Sequence, residues 1–301
     1  MVILALSGCA APQPAVPWEG AVTVAPADGT EHVPVRQVVT VTFSSPPPDG
    51  TRVWLDGGAV YEEAWTSTTE WSGAPSEDLA RGATHHVLVD VGADRVVTAF
   101  HTAGARVEAE LVGRTYEMDL EDTSNLTWLA PSGGWGPLLS RSLGTTHSVL
   151  LMVSQADGDT LQLLGAAGLA AGGDVEQSPA IPTWCFDATS FADNPVLPVV
   201  APLVSLGVDG VDYLLYDLRA VGEVAADGAS IRDLHVSTLL DARPIEAAGP
   251  FDVCGSIGCT LCPEQGEGDV PGCATLEFVL AEAPWIEGLA LVPTDSTCGA
   301  P

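Results

Sequence analysis

The residues best suited to chemistry are four cysteines near the C-terminal end, in the pattern Cys254-x4-Cys259-x2-Cys262-x10-Cys273. The two-residue gap in Cys259-Thr-Leu-Cys262 is typical of zinc sites and of redox-active thiol pairs. Disulfides are the third use of such cysteines. The run from Gly255 to Gly272 is rich in glycine and proline and has little apolar material for a core, so covalent staples would stabilise it.

Motifs for other kinds of catalysis are missing from the sequence. Gly255-Ser256-Ile257-Gly258 is not a G-x-S-x-G nucleophile elbow, and neither an H-E-x-x-H zinc motif nor a phosphate-binding loop occurs. Paired carboxylates such as Glu62-Glu63 are common, but nothing in the sequence places them as a glycosidase pair. We therefore expect a protein that is not an enzyme and that has no cofactor and no metal site.

Two other groups of potential metal ligands, three histidines and six aspartates, do not change this expectation. His85 and His86 are adjacent, so on a strand they point to opposite faces and do not share a metal ion with His101. Six aspartates could tempt a calcium interpretation, but none has the spacing of an EF-hand loop, and turns favour aspartate anyway. They are Asp157, Asp159, Asp209, Asp212, Asp217 and Asp227.

The start of the chain has the pattern of a targeting signal. Leu6-Ser7-Gly8-Cys9 follows a short apolar leader and resembles the lipobox of bacterial lipoproteins. The resemblance implies that the thiol of Cys9 is acylated, that residues 1–8 are a signal peptide that is removed, and that Cys9 becomes the mature N-terminus. The leader is short and has no basic residue, so we expect the true translation start to lie upstream. The alternative is a buried strand ending in a core cysteine.

Residues 9–20 contain three prolines and one charge, which predicts an extended tether. Ala10, rather than aspartate, follows the cysteine. In Gram-negative lipoproteins this implies transfer to the outer membrane, so we expect a protein anchored there by its N-terminal lipid.

Export also bears on the cysteines. With Cys9 acylated, six remain, and an even number outside the cytoplasm predicts up to three disulfides rather than a zinc site. Six cysteines allow 15 connectivities, and the sequence does not choose among them. The six are Cys185, Cys254, Cys259, Cys262, Cys273 and Cys298.

Composition limits the partners. The net charge is −30, from 40 acidic and 10 basic residues, and all ten basic residues are arginine. Such a chain should be repelled by nucleic acid and by anionic lipid surfaces, except where a covalent lipid holds it to a membrane. The stretch Asn194 to Val208 is uncharged, but it is short of the roughly 20 apolar residues that a membrane-spanning helix needs. With 32 glycines and 23 prolines, the composition favours an all-β protein with many turns.

Residues 21–104 predict a β-sandwich of short strands. Val39, Val41 and Phe43 alternate with polar residues, and His85, Val87, Val89 and Val91 form another inward row. In the last strand the inward residues are either Val97 and Ala99 or Val96 and Phe100.

Five landmarks of this segment resemble the SbsA type of bacterial Ig-like domain. They are Pro26-Ala-Asp-Gly-Thr30, Val33-Pro34-Val35, the strand ending in Phe43-Ser44, Leu79-Ala-Arg-Gly82 and Phe100-His-Thr102. The resemblance implies a spacer module of exported proteins. His85 stands where the family commonly has an aromatic residue.

Residues 105–301 predict a larger all-β domain, either a disulfide-stapled sandwich or a partly closed barrel. Asp157-Gly158 and Asp227-Gly228 each separate two apolar runs, and Asp-Gly favours the tight turn of a hairpin. The segment is similar to the C-terminal regions of uncharacterised Gram-negative lipoproteins, in which a D-x-R step like Asp241-Ala-Arg243 precedes a cysteine-rich loop.

Three functions remain open at this stage. The first is a non-enzymatic lipoprotein whose Ig-like spacer presents a β domain for a binding or structural role. The second is a carrier of a small ligand or lipid, with residues 195–208 beside a cavity, and the third is an extracytoplasmic hydrolase using His235. Partners could be a protein, a glycan or a small apolar molecule. Seven of the eight tryptophans are candidates for a sugar-stacking platform, although core filling explains them more simply: Trp54, Trp65, Trp71, Trp128, Trp135, Trp184 and Trp285.

Overall fold

The computed structural model describes residues 18–56, 61–120, 122–131, 147–171, 174–208, 211–248, 252–266 and 268–294. The chain divides into two compact units between Ala103 and Gly104. We call them the first unit and the second unit. No helix among the described residues is long and apolar enough to cross a membrane.

The first unit consists of two small sheets packed face to face. Its strands are β1 (Val22–Ala25), β2 (Thr30–Val33), β3 (Val39–Phe43), β4 (Arg52–Leu55), β5 (Tyr61–Ser67), β6 (Glu70–Pro75), β7 (Thr84–Val91) and β8 (Asp94–Thr102). One sheet has the order β1-β3-β6-β5, and the other has the order β2-β8-β7-β4. Strands β4 and β5 therefore lie at sheet edges.

The core of the first unit follows the alternation in the sequence. Val39, Val41 and Phe43 of β3 are buried, as is the row of β7 from His85 to Val91. In β8 the inward residues are Val96 and Phe100, while Val97 is 51% exposed. Strand-period alternation thus predicts which side chains fill this sandwich.

His85 fills the place of an aromatic residue. Its ring stacks on Phe100 with ring centroids 5.6 Å apart, and its Nε2 lies 3.2 Å from the carbonyl oxygen of Ala80. His86 points to the other face, where its Nδ1 lies 2.6 Å from an oxygen of Asp56. The two rings do not share a site, as their adjacency predicts.

In its described residues, the second unit is a single curved sheet with two short helices. Its strands are β9 (Thr115–Met118), β10 (Leu126–Ala130), β11 (His147–Asp157), β12 (Thr160–Ala171), β13 (Asp174–Gln177), β14 (Trp184–Cys185), β15 (Thr189–Ser190), β16 (Val196–Val208), β17 (Val211–Val224), β18 (Ser230–Asp241) and β19 (Cys273–Ile286). The helices are α1 (Arg243–Ala248) and α2 (Val253–Ile257). The chain is therefore all-β, as predicted.

The main path through this sheet is β13-β12-β11-β9-β19-β18-β17-β16. The two Asp-Gly pairs form the predicted turns, since Gly158 joins β11 to β12 and Gly228 joins β17 to β18, both at positive φ. Strand β10 pairs with β19, and the short strands β14 and β15 pair with β12.

Side chains of the short strands β14 and β15, which pair with β12, contact β16 at the other end of the path. The indole nitrogen of Trp184 in β14 donates to the carbonyl oxygen of Ser205 in β16 at 2.7 Å. The hydroxyl of Thr189 in β15 donates to the carbonyl oxygen of Pro198, also in β16, at 2.6 Å. The sheet is a half-barrel, and its concave face carries one continuous apolar core.

Candidate functional site

A small cavity lies inside the half-barrel of the second unit. Its volume is about 90 Å³. Side chains from strands at both ends of the sheet and from its middle surround it, because the sheet curves around them. The lining residues are Met118, Leu120, Val149, Leu151, Trp184, Phe186, Val199, Val204, Leu215, Leu218, Ala220, Leu234, Val236, Thr238, Leu276 and Phe278.

Small residues in the walls leave this space open. Ala220 of β17 lies between Val199 of β16 and Val236 of β18 in the ladder, and all three line the cavity. Gly165 of β12 has an equivalent role, because a Cβ there would lie 2.7 Å from the Trp184 ring and 2.8 Å from the Phe186 ring. The glycine therefore lets two aromatic rings lie against β12 and form one wall.

Polar groups around the cavity are few and mostly satisfied. The hydroxyl of Thr238, the one polar residue in the lining, donates to the carbonyl oxygen of Tyr216 at 2.9 Å. Trp128 packs beside the cavity-lining Phe278, with ring centroids 5.0 Å apart. Its indole N–H is buried without an acceptor in the part of the chain that the structure describes. The cavity can therefore offer apolar contact and little else.

The cysteine-rich loop contains disulfides, as predicted. Cys254 is bonded to Cys259, and Cys262 is bonded to Cys273. Cys185 is also disulfide-bonded. Cys298, like the lipidation candidate Cys9, lies outside the described residues. The spacing that is typical of zinc sites thus belongs to two separate disulfides.

An arginine holds this loop to the half-barrel. Arg243 donates to both oxygens of Asp241, at 2.8 and 2.7 Å, and also to Glu264 in the loop. Burial, followed by a hydrogen bond with Glu264, raises the pKa of Tyr216 to about 12. The two carboxylates lie near the Cys262 sulfur; Arg243 is paired with both of them, and that sulfur is in a disulfide. The cluster thus forms an ion-pair network that links the loop to the sheet.

The remaining catalytic candidates are spread over the outer surface. His235 and Glu277 form one pair on the convex face of the half-barrel, with Nε2 and Oε1 2.9 Å apart. Ser237 lies directly across the ladder from Glu277. The sequence pointed to His235 but gave no sign of its partner, because Glu277 lies 42 residues away.

The tryptophans are divided between cores and surfaces. Trp71 and Trp184 are buried, in agreement with core filling, while Trp65 is 47% exposed. Trp285 lies under the guanidinium of Arg114, whose Cζ is 4.4 Å from the ring centroid. Trp135 lies outside the described residues. Core filling thus explains some of the tryptophans but not Trp65.

Comparisons with known proteins give weak likenesses to L,D-transpeptidases. No family model matches the chain, and no curated protein matches it. L,D-transpeptidase 3 from Mycobacterium tuberculosis, with a faropenem-derived adduct, is 24% identical over 29% of this chain and 39% of that chain, with a TM-score of 0.23. The Mycobacterium smegmatis L,D-transpeptidase is 17% identical over 68% and 76%, with a TM-score of 0.24. LdtMt1 with imipenem is also 17% identical, over 56% and 82%, with a TM-score of 0.21.

The chain spans about two fifths of the first of these structures. The expectation that this protein is not an enzyme is contradicted, because the matched structures are enzymes, and we do not retain it. TM-scores this low do not show that this chain shares a fold or an activity with the L,D-transpeptidases.

Proposed function

We propose that the second unit binds a small apolar ligand, or the apolar end of a larger one, in the cavity of the half-barrel. The observation that carries the proposal is a cavity of about 90 Å³ with an almost wholly apolar lining. This cavity has the volume of about three water molecules at ~30 Å³ each. Water would occupy it only if polar groups were present to bond with. With apolar walls, the favoured occupant is an apolar group, because its burial removes hydrocarbon surface from water.

The size of the cavity limits the ligand. Pockets that enclose drug-sized ligands have volumes of about 300–1,000 Å³, several times larger. An engineered apolar cavity of about 150 Å³ in another protein binds benzene. The second unit is therefore suited to a short alkyl chain or the last few carbons of an acyl chain, rather than to a whole lipid.

The proposal includes an extracytoplasmic location. Leu6-Ser7-Gly8-Cys9 supports acylation of Cys9 and attachment to the outer membrane, and the disulfides of the loop support an oxidising compartment. An outer-membrane anchor would keep the binding unit close to a source of acyl chains.

Calorimetric titration of the full chain with 1-alkanols from butanol to octanol tests the proposal. Each methylene that enters the cavity contributes about 0.8 kcal/mol, so affinity should rise about fourfold per carbon and then level off when the cavity is full. Ala220→Ile should abolish this rise, because its added carbons occupy the same space. Ala156→Ile, at an exposed position of β11 in the same unit, is the matched control and should bind like the wild type.

Two results would contradict the proposal. One is an affinity that increases with chain length in the same way in wild type and in Ala220→Ile, which indicates partition onto the surface. The other is no heat of binding for any alkanol.

A second candidate is an extracytoplasmic hydrolase. Its basis is the hydrogen bond between His235 and Glu277, with Ser237 across the ladder on the same face. A histidine oriented by a carboxylate can act as a general base toward a nearby serine. A fluorophosphonate probe should label Ser237 in the wild type and not in His235→Gln; an unlabelled wild-type protein rules this candidate out.

A further inference from the structure

A larger cleft lies at the edge of the first unit, separate from the cavity and independent of the function proposed for it. Its volume is about 810 Å³, within the range of sites that enclose small ligands. It is formed mainly by β4 and β5, the edge strands of the two sheets, and by neighbouring residues of β7 and β8. Among its lining residues are Arg52, Trp54, Trp65, Asp90 and Arg95.

One wall of the cleft is an exposed indole with a fixed orientation. The Trp65 ring stacks on Phe43 of the core, with ring centroids 5.6 Å apart and planes 28° apart. Its side chain is nevertheless 47% exposed, because the opposite face of the ring is open to solvent. An aromatic ring held on one face and open on the other is a flat platform for a ligand, and holding it in place costs no further side-chain ordering on binding.

The opposite part of the cleft carries two guanidinium groups. Arg95 donates to both oxygens of Asp90, at 2.6 and 3.0 Å, and its Cζ lies 5.2 Å from the centre of the Trp54 ring. This bidentate pair holds the pKa of Asp90 below its ordinary value. Arg52 lies directly across the ladder from Asp90 and also helps to lower the pKa of that carboxyl, but its side chain is exposed and donates no hydrogen bond among the described residues.

The charge of the cleft is unusual for this protein. Two arginines and one aspartate leave a local charge of +1 in a chain whose net charge is −30 and which has only ten basic residues. A ligand without charge would leave this local positive charge uncompensated. A purely apolar ligand would also remove water from its guanidinium, at a cost in free energy.

We propose that this cleft binds an anionic sugar, that is, a pyranose ring carrying a carboxylate or a phosphate. The C–H face of a pyranose packs on an indole, and the open face of Trp65 offers that surface. A guanidinium binds carboxylates and phosphates with short, charge-assisted hydrogen bonds, and the exposed guanidinium of Arg52 can donate them. The remaining N–H groups of Arg95 and the oxygens of Asp90 can bond to ring hydroxyls.

Fluorescence and calorimetric titrations of the full chain test this proposal with four probes. Tetragalacturonate offers carboxylates on pyranose rings, and glucose 6-phosphate offers a phosphate. Cellotetraose has the rings without the charge, and inorganic phosphate has the charge without the ring. At least one of the two anionic sugars should bind at millimolar concentration or below, and which one binds identifies the acid group. The other two probes should bind at least about tenfold more weakly, since each lacks one of the two recognised features.

Variants locate the site. Arg52→Gln removes one of the two positive charges of the cleft, and Trp65→Leu removes the platform; both positions are exposed, so each variant should fold, which circular dichroism checks. Arg52→Gln should weaken binding about tenfold or more, the usual effect of losing a charge-assisted hydrogen bond. Trp65→Leu should also weaken it, because the sugar ring loses its stacking surface. Arg106→Gln removes an exposed, unpaired arginine from the second unit and should change nothing.

The proposal is overturned if neither anionic sugar binds, or if cellotetraose binds as tightly as the anionic sugar that binds best. It is also overturned if Arg52→Gln and Arg106→Gln have the same effect.

Discussion

Filling the cavity of the half-barrel should stabilise the second unit. Ala220 is central for this test because it lies between Val199 and Val236 in the ladder, and all three line the cavity. Ala220→Ile adds three carbon atoms. A methylene occupies roughly the ~30 Å³ that a water molecule has in the liquid, so the addition nearly matches the available volume.

The size of the effect follows from the volume. An empty cavity costs about 24 cal/mol per Å³ in a packed core, so filling 90 Å³ should raise the free energy of unfolding by at most about 2 kcal/mol. For a unit of this size, that corresponds to an increase in Tm of about 4–8 °C. Isoleucine is also a better strand former than alanine, which by itself contributes up to about 1 kcal/mol.

Urea unfolding and scanning calorimetry measure the change, and Ala156→Ile separates the two contributions. The control makes the same substitution at an exposed position of β11, so it reports strand propensity alone. We expect Ala220→Ile to be more stable than Ala156→Ile, with an unchanged m-value. The reasoning is refuted if Ala220→Ile is the less stable of the two, because the added carbons would then overpack a space that is already full.

Three further predictions concern the rest of the chain. Replacing both Cys262 and Cys273 by alanine should lower the free energy of unfolding by about 3 kcal/mol, because the 11-residue loop between them is no longer closed in the unfolded state. Urea unfolding measures this change, and a loss under about 1 kcal/mol would contradict the prediction. Burial raises the pKa of Tyr116 to about 12. The folded state favours the neutral phenol, so this contribution to the free energy of unfolding is fully present below about pH 10. It declines by about 2–3 kcal/mol as the pH rises through 12. Tyr116→Phe should remove that part of the alkaline decline, and identical pH profiles would show that the group does not contribute. Cys9→Ala should move the protein from the membrane fraction to the soluble exported fraction, and continued membrane attachment would exclude the lipid anchor.

Features that depend on neighbouring residues could be predicted from the sequence. The turns at Asp157-Gly158 and Asp227-Gly228 need only a residue that tolerates positive φ between two apolar runs. The inward row of β7 needs only a period of two. In β8 the sequence left two registers open, because either pair of apolar residues satisfied the alternation, and the structure selects Val96 and Phe100.

Strand β16 was harder to predict. Val196–Val208 contains Pro198 and Pro202, and proline interrupts the ladder of an interior strand. The segment is nevertheless a strand because it lies at the end of the sheet path and pairs on one side only, with β17. Position within a sheet is not encoded in local sequence. Asp217 shows the same limit. The sequence predicts a turn there, but Asp217 lies within β17, at positive φ.

The cavity and the cleft could not be located from the sequence. The cavity depends on the curvature of a sheet whose lining strands are far apart in the chain, and its wall depends on a glycine, Gly165, that has no distinctive sequence context. From the sequence, the tryptophans could either fill the core or form a sugar-stacking platform. Burial distinguishes them, since Trp71 is in the core and Trp65, its neighbour across the ladder, is half exposed.

The way in which β16 meets β14 and β15 affects the behaviour of the protein at high concentration. An edge strand presents free N–H and C=O groups on which another chain can add a strand, the first step of aggregation. Here the carbonyl oxygens of Pro198 and Ser205 already accept hydrogen bonds from Thr189 and Trp184. Because the N–H and C=O of a strand residue point to the same side, Pro198, whose carbonyl oxygen bonds to Thr189, has no donor to offer on the side away from β17. Val200 and Leu203 are each 51% exposed along this strand, yet an incoming chain would find few hydrogen-bonding groups there to pair with.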